Sequence, residues 1–403
     1  MSYLDIRSQE QLQQFCAGLA GCAWIGFDTE FVSENSYRPH LCLVQVITEE
    51  QMALIDAVEL ADLRPFWEAV AAPGHETIVH AGRGEVEFCL RAVGKPPAGL
   101  FDVQLAAGLI GIEYPAGFRT LIYKLLGETA RKEETRTDWR RRPLSQRQID
   151  YALDDVRYLP RLAENLKSKL QRLGRSGWLE EEMRAWLEEV DRAFHQERWR
   201  RVSGNSGLDR RALALVRELW RWREAEAQRR NCPVRRVLRD DLIIELAKRQ
   251  TADVKRIQAV RGLERGDLSR QIPKMAACIQ QALKLPEDQC PPLAHREPSP
   301  QLSVLGQFLF SALGSLCRQA QLAPSLVGTP NDIRDLINHR TGHGAAEMPR
   351  LACGWRAGIV GQLFDDLLAG RKSVRIADAA SDSPLVFEPV EPRPESPRPA
   401  EAE

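Results

Sequence analysis

Two acidic residues lie inside an apolar, strand-like segment near the start of the chain. The segment Phe27-Asp28-Thr29-Glu30-Phe31 follows directly on Ala23-Trp24-Ile25-Gly26. Because a strand sends alternate side chains to the same face, Asp28 and Glu30 should point in the same direction. Two such carboxylates repel each other unless a positive charge lies between them, and Mg²⁺ and Mn²⁺ prefer oxygen ligands of this kind. On these residues alone, a metal site and a solvated edge strand are equally good interpretations.

The sequence around this pair predicts an α/β domain built around one sheet. Helices are predicted at Ile6–Ala20, Leu105–Leu109 and Thr120–Leu126. A further helix is predicted to follow the strand Thr77–His80 and to continue through Leu90. Strands are predicted at Ala23–Phe31, Leu41–Ile47, Gln51–Ile55 and Thr77–His80, the first three forming an antiparallel meander. Residues 1–175 are therefore assigned to one α/β domain.

The rest of the chain is predicted to be helical and to be divided by linkers. Residues 176–207 form a helical connector that ends in the flexible segment Ser203-Gly204-Asn205-Ser206-Gly207. Helical domains are predicted at 208–285 and 301–372, with a proline-rich linker at 286–300. Residues 373–403 are rich in proline and glutamate and poor in apolar side chains, so a disordered tail is predicted there.

A further acidic position lies in the segment Ile149–Leu159. On a helix, Tyr151 and Asp155 are four residues apart and share one face. Asp154 is turned away from Asp155 by about a quarter turn, so it is expected to meet solvent or to cap a neighbour. A tyrosine and an aspartate at this spacing are, by themselves, more often a surface hydrogen bond than a catalytic pair.

Together with Asp28 and Glu30, this helix resembles ribonuclease D, a branch of the DEDD 3′–5′ exonuclease superfamily. The resemblance is carried by blocks that keep the family's order and approximate spacing. They are residues 27–31, His80-Ala81-Gly82-Arg83, residues 100–107, Thr137-Asp138-Trp139-Arg140-Arg141-Arg142-Pro143-Leu144-Ser145 and the Tyr151–Asp155 helix. The fold implied is an α/β catalytic domain of the ribonuclease-H-like type, a mixed sheet flanked by helices, followed by two all-α domains.

Both helical regions take part in the resemblance. Residues 232–247 and 257–263 resemble the helicase-and-RNase-D C-terminal (HRDC) domain, a small nucleic-acid-binding module. Residues 325–329 and 354–357 resemble a second such domain more faintly, and Trp355 is expected to be a core residue. The similarity therefore covers nearly the whole chain.

The resemblance implies two-metal phosphodiester hydrolysis. Four acids, Asp28, Glu30, Glu85 and Asp155, are implied to hold two divalent ions, Mg²⁺ or Mn²⁺. Tyr151 is implied to act beside the attacking water. Because a tyrosine has an unperturbed pKa of about 10, it is a poor base near pH 7, and we expect it to orient that water by hydrogen bonding.

Glu85 is the one clear departure from the family pattern, which has aspartate five positions after His80. Glutamate keeps the charge and the oxygen ligands but adds one methylene, and Mg²⁺ tolerates misplaced ligands poorly. We expect Glu85 to be the functional substitute. Asp102 is the next acidic candidate, but it is expected to orient neighbouring groups or to cap the following helix.

An arginine-rich segment before the Tyr151 helix is predicted to contact substrate. Arg136 and the run Arg140–Arg142 surround Trp139. Arginine binds phosphate oxygens in forks and tryptophan can stack on a base, so Trp139, Arg140 and Arg142 are predicted to bind substrate. The alternative is a tryptophan that packs inward beside solvated arginines.

Other side chains are weaker candidates for nucleic-acid contact. Phe31 is equally consistent with a wedge at the terminal base and with an ordinary core residue. Seven arginines of the first helical domain are predicted to contact phosphate, although some are expected to pair with Glu218, Glu224 and Glu226 instead. They are Arg221, Arg223, Arg229, Arg230, Arg235, Arg236 and Arg239.

The sequence therefore predicts a metal-dependent 3′–5′ exoribonuclease that trims structured RNA, with transfer-RNA precursors as the substrate that the resemblance implies and nucleoside 5′-monophosphates as products. The formal net charge is +0, so a nucleic-acid surface must be a local patch. Nine cysteines occur without a Cys-x-x-Cys pair, which favours a reducing cytoplasm. No apolar stretch suits a membrane span, and no obligatory protein partner is expected.

Two other functions stay open at this point. The first is an RNA-binding protein with an impaired nuclease site, because Glu85 departs from the pattern. The second is a 3′–5′ DNA exonuclease, because no residue that we identify in the sequence senses a 2′-hydroxyl group.

Overall fold

The computed structural model describes residues 2–130, 137–264, 266–293, 300–342 and 347–390. The strands in these residues are β1 Leu4–Ile6, β2 Trp24–Val32, β3 His40–Ile47, β4 Met52–Asp56, β5 Glu76–Val79, β6 Leu100–Asp102, β7 Lys372–Ile376 and β8 Leu385–Pro389. The helices of the N-terminal half are α1 Gln9–Leu19, α2 Arg64–Ala71, α3 Arg83–Val93, α4 Val103–Gly108, α5 Phe118–Leu126, α6 Gln146–Arg157, α7 Leu159–Arg172 and α8 Ser176–His195.

The helices of the C-terminal half fall into two groups. The first group is α9 Arg210–Arg230, α10 Val234–Val237, α11 Asp240–Arg249, α12 Val254–Gln258, α13 Gly266–Ser269 and α14 Ile272–Leu283. The second group is α15 Pro300–Gln319, α16 Pro324–Val327, α17 Pro330–Arg340, α18 Gly354–Arg356 and α19 Gln362–Leu368, with a π-helical segment, Ala357–Gly361, between the last two.

A mixed sheet forms the centre of the α/β domain. Among the described residues it has six strands in the order β1-β4-β3-β2-β5-β6. Strands β2, β3 and β4 form the predicted antiparallel meander, whereas β5 and β6 run parallel to β2. Strand β2 is therefore an inner strand at Trp24–Gly26, whereas its acidic half, from Phe27 onward, pairs with β3 alone among the described strands. The predicted helix at Ile6–Ala20 begins only at Gln9, because Leu4–Ile6 pairs with β4 and the Ser8 side chain caps the helix.

The two faces of β2 differ in their neighbours. On one face Phe27 is fully buried, with its ring 5.5 Å from the ring of Phe66. On the other face Gly26 leaves room for the start of α7, since a Cβ atom at this position would lie 2.7 Å from Ile47 Cγ2 and 3.4 Å from Leu159 Cδ1. The close approach brings the end of α6 next to the acidic half of β2.

The first helical group has a core of its own. Leu215, Val216 and Leu219 of α9 pack with Ile243 of α11 and Ile279 of α14, all of them buried. Because these side chains recur at helical spacing on α9, one helix forms the spine against which the shorter helices pack. The predicted helical domain at 208–285 is therefore a helical bundle.

The second helical group is all-α, as predicted, but its described residues form no core separate from that of the α/β domain. Leu313 and Phe364 belong to the same buried cluster as Leu105, Leu109 and Leu162 of the α/β domain. A buried ion pair reinforces the contact, with Arg356 donating to Glu182 of α8 over 2.6 and 2.8 Å. The Trp355 ring is buried and stacks on Trp178 at 5.2 Å, which confirms Trp355 as a core residue.

The prediction of a disordered tail at 373–403 is wrong for the part that the structure describes. Strands β7 and β8 form an antiparallel hairpin in which Val374 pairs with Phe387. Leu385 and Phe387 pack against the shared core, so the hairpin obtains from tertiary contact the burial that its own sequence could not provide. Residues 391–403 of the predicted tail, and residues 294–299 of the predicted linker, lie outside the described residues.

Candidate active site

Three of the predicted acids meet where β2 lies against α6. Asp28 and Glu30 on β2 and Asp155 on α6 each present a carboxylate oxygen, and these oxygens lie within 4.8 Å of one another. The alternation along β2 places Asp28 and Glu30 on one face, as predicted. Oxygen ligands from three carboxylates, with no histidine or cysteine in the group, fit Mg²⁺ or Mn²⁺.

Local sequence fixes the start of α6. Ser145 accepts a hydrogen bond from the Gln148 backbone N–H, and the Gln148 side chain accepts one from the Ser145 backbone N–H, which makes a capping box. Ala152 and Leu153 bury the inner face of the helix against β3 and β4. Asp154, expected to meet solvent or to cap a neighbour, is buried and pairs with Arg157 over 2.7 Å. The rotation of α6 is therefore set, and Asp155 faces β2.

The electrostatics of the cluster favour a bound cation. Burial, followed by repulsion from Glu85, Asp155 and Glu30, raises the pKa of Asp28 well above its usual range. Burial and repulsion from Asp155 and Glu85 raise the pKa of Glu30 to about 8. These acids resist ionisation in the absence of a positive charge, and a divalent ion among them would reverse that preference.

Glu85 lies beside this cluster but outside the group of converging oxygens. It is buried in the first turn of α3, and its carboxylate accepts a 2.6 Å hydrogen bond from the Thr29 hydroxyl. Burial raises the pKa of Glu85 to about 7, while the Thr29 hydrogen bond acts in the opposite direction. Among the described residues, the converging group therefore contains three of the four predicted ligands. Thr29 was not singled out from the sequence, although it lies between the two acids.

Tyr151 lies on the cluster side of α6. Burial, the nearby carboxylates and a hydrogen bond with the Asp155 side chain raise the pKa of its hydroxyl above the usual value. The phenol is therefore neutral near pH 7, as the sequence led us to expect. A neutral hydroxyl in this position can orient a water molecule but cannot act as an anionic base.

Asp102 is a structural residue, as expected. It caps α4 by accepting from the Gln104 N–H at 2.8 Å, and it also accepts from the N–H groups of Ala81 at 3.1 Å and Gly82 at 2.9 Å. Ala81 has a φ of 54°, so these bonds hold a turn that favours glycine or asparagine. The turn immediately precedes α3, and Asp102 thereby positions the helix that carries Glu85.

An open pocket of about 670 Å³ leads to the carboxylates. Its lining comes from the end of β2, from the segment before α6 and from Tyr151. The lining residues are Glu30, Phe31, Val32, Ser33, Glu34, Thr137, Asp138, Trp139, Arg140 and Tyr151. The Phe31 ring is 40% exposed and packs edge-on against Phe88 at 5.6 Å, so its outer face is available to a ligand.

Two predicted substrate contacts are corrected by the structure. Trp139 is only 4% exposed and packs with Leu153 and other core residues, so its ring does not offer a stacking face. Arg142 pairs with Asp56 and donates to the backbone carbonyls of Trp139 and Cys42 at 2.8 and 2.9 Å. Its guanidinium is thus occupied within the protein.

Arg140 differs from Arg142 in its surroundings. It is half-exposed at the pocket, and its guanidinium pairs with Asp138 over 2.8 and 3.1 Å. Such an exposed pair is weak, so Arg140 stays a candidate for phosphate contact. Arg136 lies outside the described residues.

Most of the arginines predicted to contact phosphate in the first helical group have partners in the protein. Arg221 pairs with Glu218, and Arg229 and Arg230 pair with Glu226, as anticipated. Arg223 is buried and pairs with Asp240 over 2.6 Å, which corrects its assignment as a phosphate contact. Arg239 forms a more exposed pair with Asp241.

The first helical group also touches the loop that follows β2. Arg236 donates to the Asn35 side chain at 2.6 Å, and the Tyr37 hydroxyl donates to Glu224 at 3.1 Å. This loop includes the pocket residues Ser33 and Glu34. The helical domain therefore lies at the rim of the pocket, a placement that no local sequence pattern predicted.

Fold and site together define a 3′–5′ exonuclease followed by an HRDC domain. Residues 3–171 match the 3′-5′ exonuclease family, and residues 212–279 match the HRDC domain family. Ribonuclease D from Granulibacter bethesdensis is 35% identical over 366 residues, covering 89% of this chain and 90% of the relative. Ribonuclease D from Acidiphilium cryptum is 34% identical over 385 residues, covering 93% and 94% of the two chains. The protein belongs to the ribonuclease D family and is a 3′–5′ exoribonuclease.

The solved structures agree with this assignment. The crystal structure of Escherichia coli RNase D, described as an exoribonuclease involved in structured RNA processing, superimposes with a TM-score of 0.80. It is 26% identical, and the match covers 92% of this chain and 99% of that one. The predicted fold class is confirmed, including the mostly helical region after the catalytic domain. No helix in the described part of the chain is long and apolar enough to cross a membrane.

Proposed function

We propose that this enzyme trims the 3′ ends of structured RNA, with transfer-RNA precursors among its substrates, and that it uses Mg²⁺ or Mn²⁺. The observation that carries the proposal is the convergence of Asp28, Glu30 and Asp155 within 4.8 Å, next to Tyr151 and an open pocket. The pocket admits a chain end, and the helical domain at its rim offers a surface to a folded RNA.

The proposed roles follow from where each side chain lies. Asp28, Glu30 and Asp155 would hold the divalent ion. When bound, such an ion supplies a Lewis acid that lowers the pKa of water and neutralises charge on the phosphate. Tyr151 would hold the attacking water by hydrogen bonding, and Phe31 would pack against the terminal base.

Glu85 is proposed as the fourth ligand, which would complete a pair of ions. Its nearness to Asp28 supports this role, since repulsion between the two carboxylates contributes to the raised pKa of Asp28. Its hydrogen bond to Thr29 opposes the role, because a carboxylate oxygen bound to a hydroxyl is less free to bind metal. That bond is also the one observation in favour of the alternative, an RNA-binding protein with an impaired nuclease site.

A cytoplasmic location is part of the proposal. All nine cysteines are free, and several of them are buried. A protein with this cysteine content and no disulfide suits a reducing compartment.

The deciding experiment follows the release of nucleotides from a labelled precursor transfer RNA. We expect nucleoside 5′-monophosphates to appear one at a time from the 3′ end when Mg²⁺ or Mn²⁺ is added, and none in excess EDTA. A matched single-stranded DNA should be degraded more slowly. If neither ion supports release, the proposed use of Mg²⁺ or Mn²⁺ is wrong, and if DNA is degraded faster, structured RNA is not the preferred substrate.

A further inference from the structure

Gln45 is a buried polar residue that none of the proposed roles uses. It lies on β3, its side chain is fully buried, and neither Nε2 nor Oε1 has a hydrogen-bond partner among the described residues. An amide can make up to four hydrogen bonds, and buried polar groups normally have partners. A fully buried glutamine that makes none needs a physical reason.

The sheet register places this amide beside the carboxylate cluster. Gln45 pairs directly with Asp28 across the antiparallel strands β2 and β3. Side chains of residues paired in this way leave the sheet on the same face, about 4.5–5.5 Å apart at their Cβ atoms. The amide and the Asp28 carboxylate are therefore neighbours on the face that α6 covers.

The other neighbours of Gln45 on this face of the sheet itself are apolar. Leu54 is its partner on β4, while Leu43 and Ile47 precede and follow it on the same face of β3. Packing at this point would be served as well by methionine or leucine. The polar group that the register brings nearest is Asp28, which the proposed function makes a metal ligand.

We propose that Gln45 is a positioning residue for Asp28. Its Nε2–H group, which has no partner among the described residues, would turn to donate to the Asp28 carboxylate when the divalent ion binds and would hold that carboxylate in the orientation of a ligand. The inference rests on the proposed function of Asp28, and it adds a residue that the acidic motif does not contain. An amide suits this position because it can donate to a carboxylate without adding a charge to a crowded group of acids.

The test separates metal affinity from packing. Gln45→Met keeps the length of the side chain and removes its hydrogen-bonding groups. We expect the metal-free variant to have a thermal unfolding midpoint equal to or above that of the wild-type protein, because an unpaired amide is removed from the interior. The dissociation constant for Mn²⁺, measured by calorimetry without RNA, should rise about tenfold, as is typical when a group that orients a ligand is lost.

Ser315→Ala is the matched control. Ser315 on α15 is also buried, and its hydroxyl has no hydrogen-bond partner among the described residues. It belongs to the second helical group rather than to the acidic face of β2. Its replacement should leave the unfolding midpoint equal or higher and the Mn²⁺ affinity unchanged.

The possible outcomes distinguish this inference from the proposed function. If the wild-type protein binds no Mn²⁺, the proposed function fails and Gln45 does not position a metal ligand. If the wild-type protein binds Mn²⁺ and Gln45→Met binds it equally well, only the role of Gln45 is overturned. A Gln45→Met protein that is unstable would be replaced in the assay by Gln45→Leu, judged by the same comparison of Mn²⁺ affinity.

Discussion

The carboxylates around β2 occupy two different settings. Asp28, Glu30 and Asp155 converge because β2 and α6 lie together, next to the point where Gly26 of β2 admits Leu159 at the start of α7. Glu85 comes from α3, and the rotamer of one long side chain, bound to Thr29, decides where its oxygens lie. The backbone therefore fixes where the three converging carboxylates lie, whereas a single side-chain torsion can move the carboxylate of Glu85.

The largest effect should come from removing a ligand of the converging group. Asp155→Asn keeps the shape of the side chain but removes its charge. Because metal binding at such a site contributes several kcal/mol to the stabilisation of the transition state, kcat/KM on a 3′-labelled RNA should fall by about a thousandfold. The melting temperature should be unchanged or higher, since one of several repelling carboxylates is lost. A variant within tenfold of full activity would show that Asp155 is not a ligand.

Substitutions of Glu85 test whether its carboxylate takes part in catalysis. Glu85→Gln should lower kcat/KM by about 10- to 100-fold, a range typical for the loss of a supporting group at a metal site, whereas Glu85→Asp should be tolerated. Thr29→Val is the matched control, because it frees the Glu85 carboxylate without changing it. Activity retained by Glu85→Gln would mean that only the three converging acids are needed.

The raised pKa values of Glu30 and Glu85 also predict how pH affects the stability of the metal-free protein. The pKa values of Glu30 and Glu85 in the folded protein are about 8 and about 7, against about 4.3 in an unfolded chain. Between these values the folded state binds more protons than the unfolded state. In EDTA, the free energy of unfolding should therefore fall by several kcal/mol as pH rises from 5 to 8.

Saturating Mn²⁺ provides the control for that measurement. An ion that binds the ionised carboxylates of the folded state should reduce the loss of stability at pH 8. A free energy of unfolding that rises with pH in EDTA would show that burial and repulsion do not raise the pKa values of these carboxylates as described.

Much of the fold was predictable because it depends on local patterns. The alternation around Asp28 and Glu30 and the spacing of Tyr151 and Asp155 predicted which side chains share a face. The fate of Arg142 was not predictable, since its partner Asp56 is 86 residues away. The β7–β8 hairpin was missed because the tail is rich in proline and glutamate, whereas Leu385 and Phe387 become partly buried only by contact with another part of the chain.

The site was less predictable than the fold because it depends on contacts between residues that are far apart in the sequence. The resemblance to ribonuclease D indicated that Glu85 replaces an aspartate, but its bond to Thr29 depends on the packing of α3 against β2. Gln45 occupies an ordinary strand position in the sequence. Only the register of β2 and β3 places it opposite Asp28.

The smallest effect should come from Tyr151, which touches the converging group without belonging to it. Tyr151→Phe keeps the ring and removes the hydroxyl that bonds to Asp155. Because a neutral phenol can orient water but not accept its proton, the loss should be about tenfold in kcat, below the usual contribution of a general base. The KM for RNA should stay the same, since the hydroxyl acts on the water rather than on the substrate.

The pH profile of Tyr151→Phe gives a second readout. A tyrosine that only orients water should leave the shape of the kcat profile unchanged, because its own pKa lies far above the working range. If Tyr151→Phe turns over at the full rate while Asp155→Asn is inactive, the orienting role is wrong, and the backbone-built group of three acids is sufficient by itself. If the alkaline side of the profile moves instead, Tyr151 takes part in proton transfer.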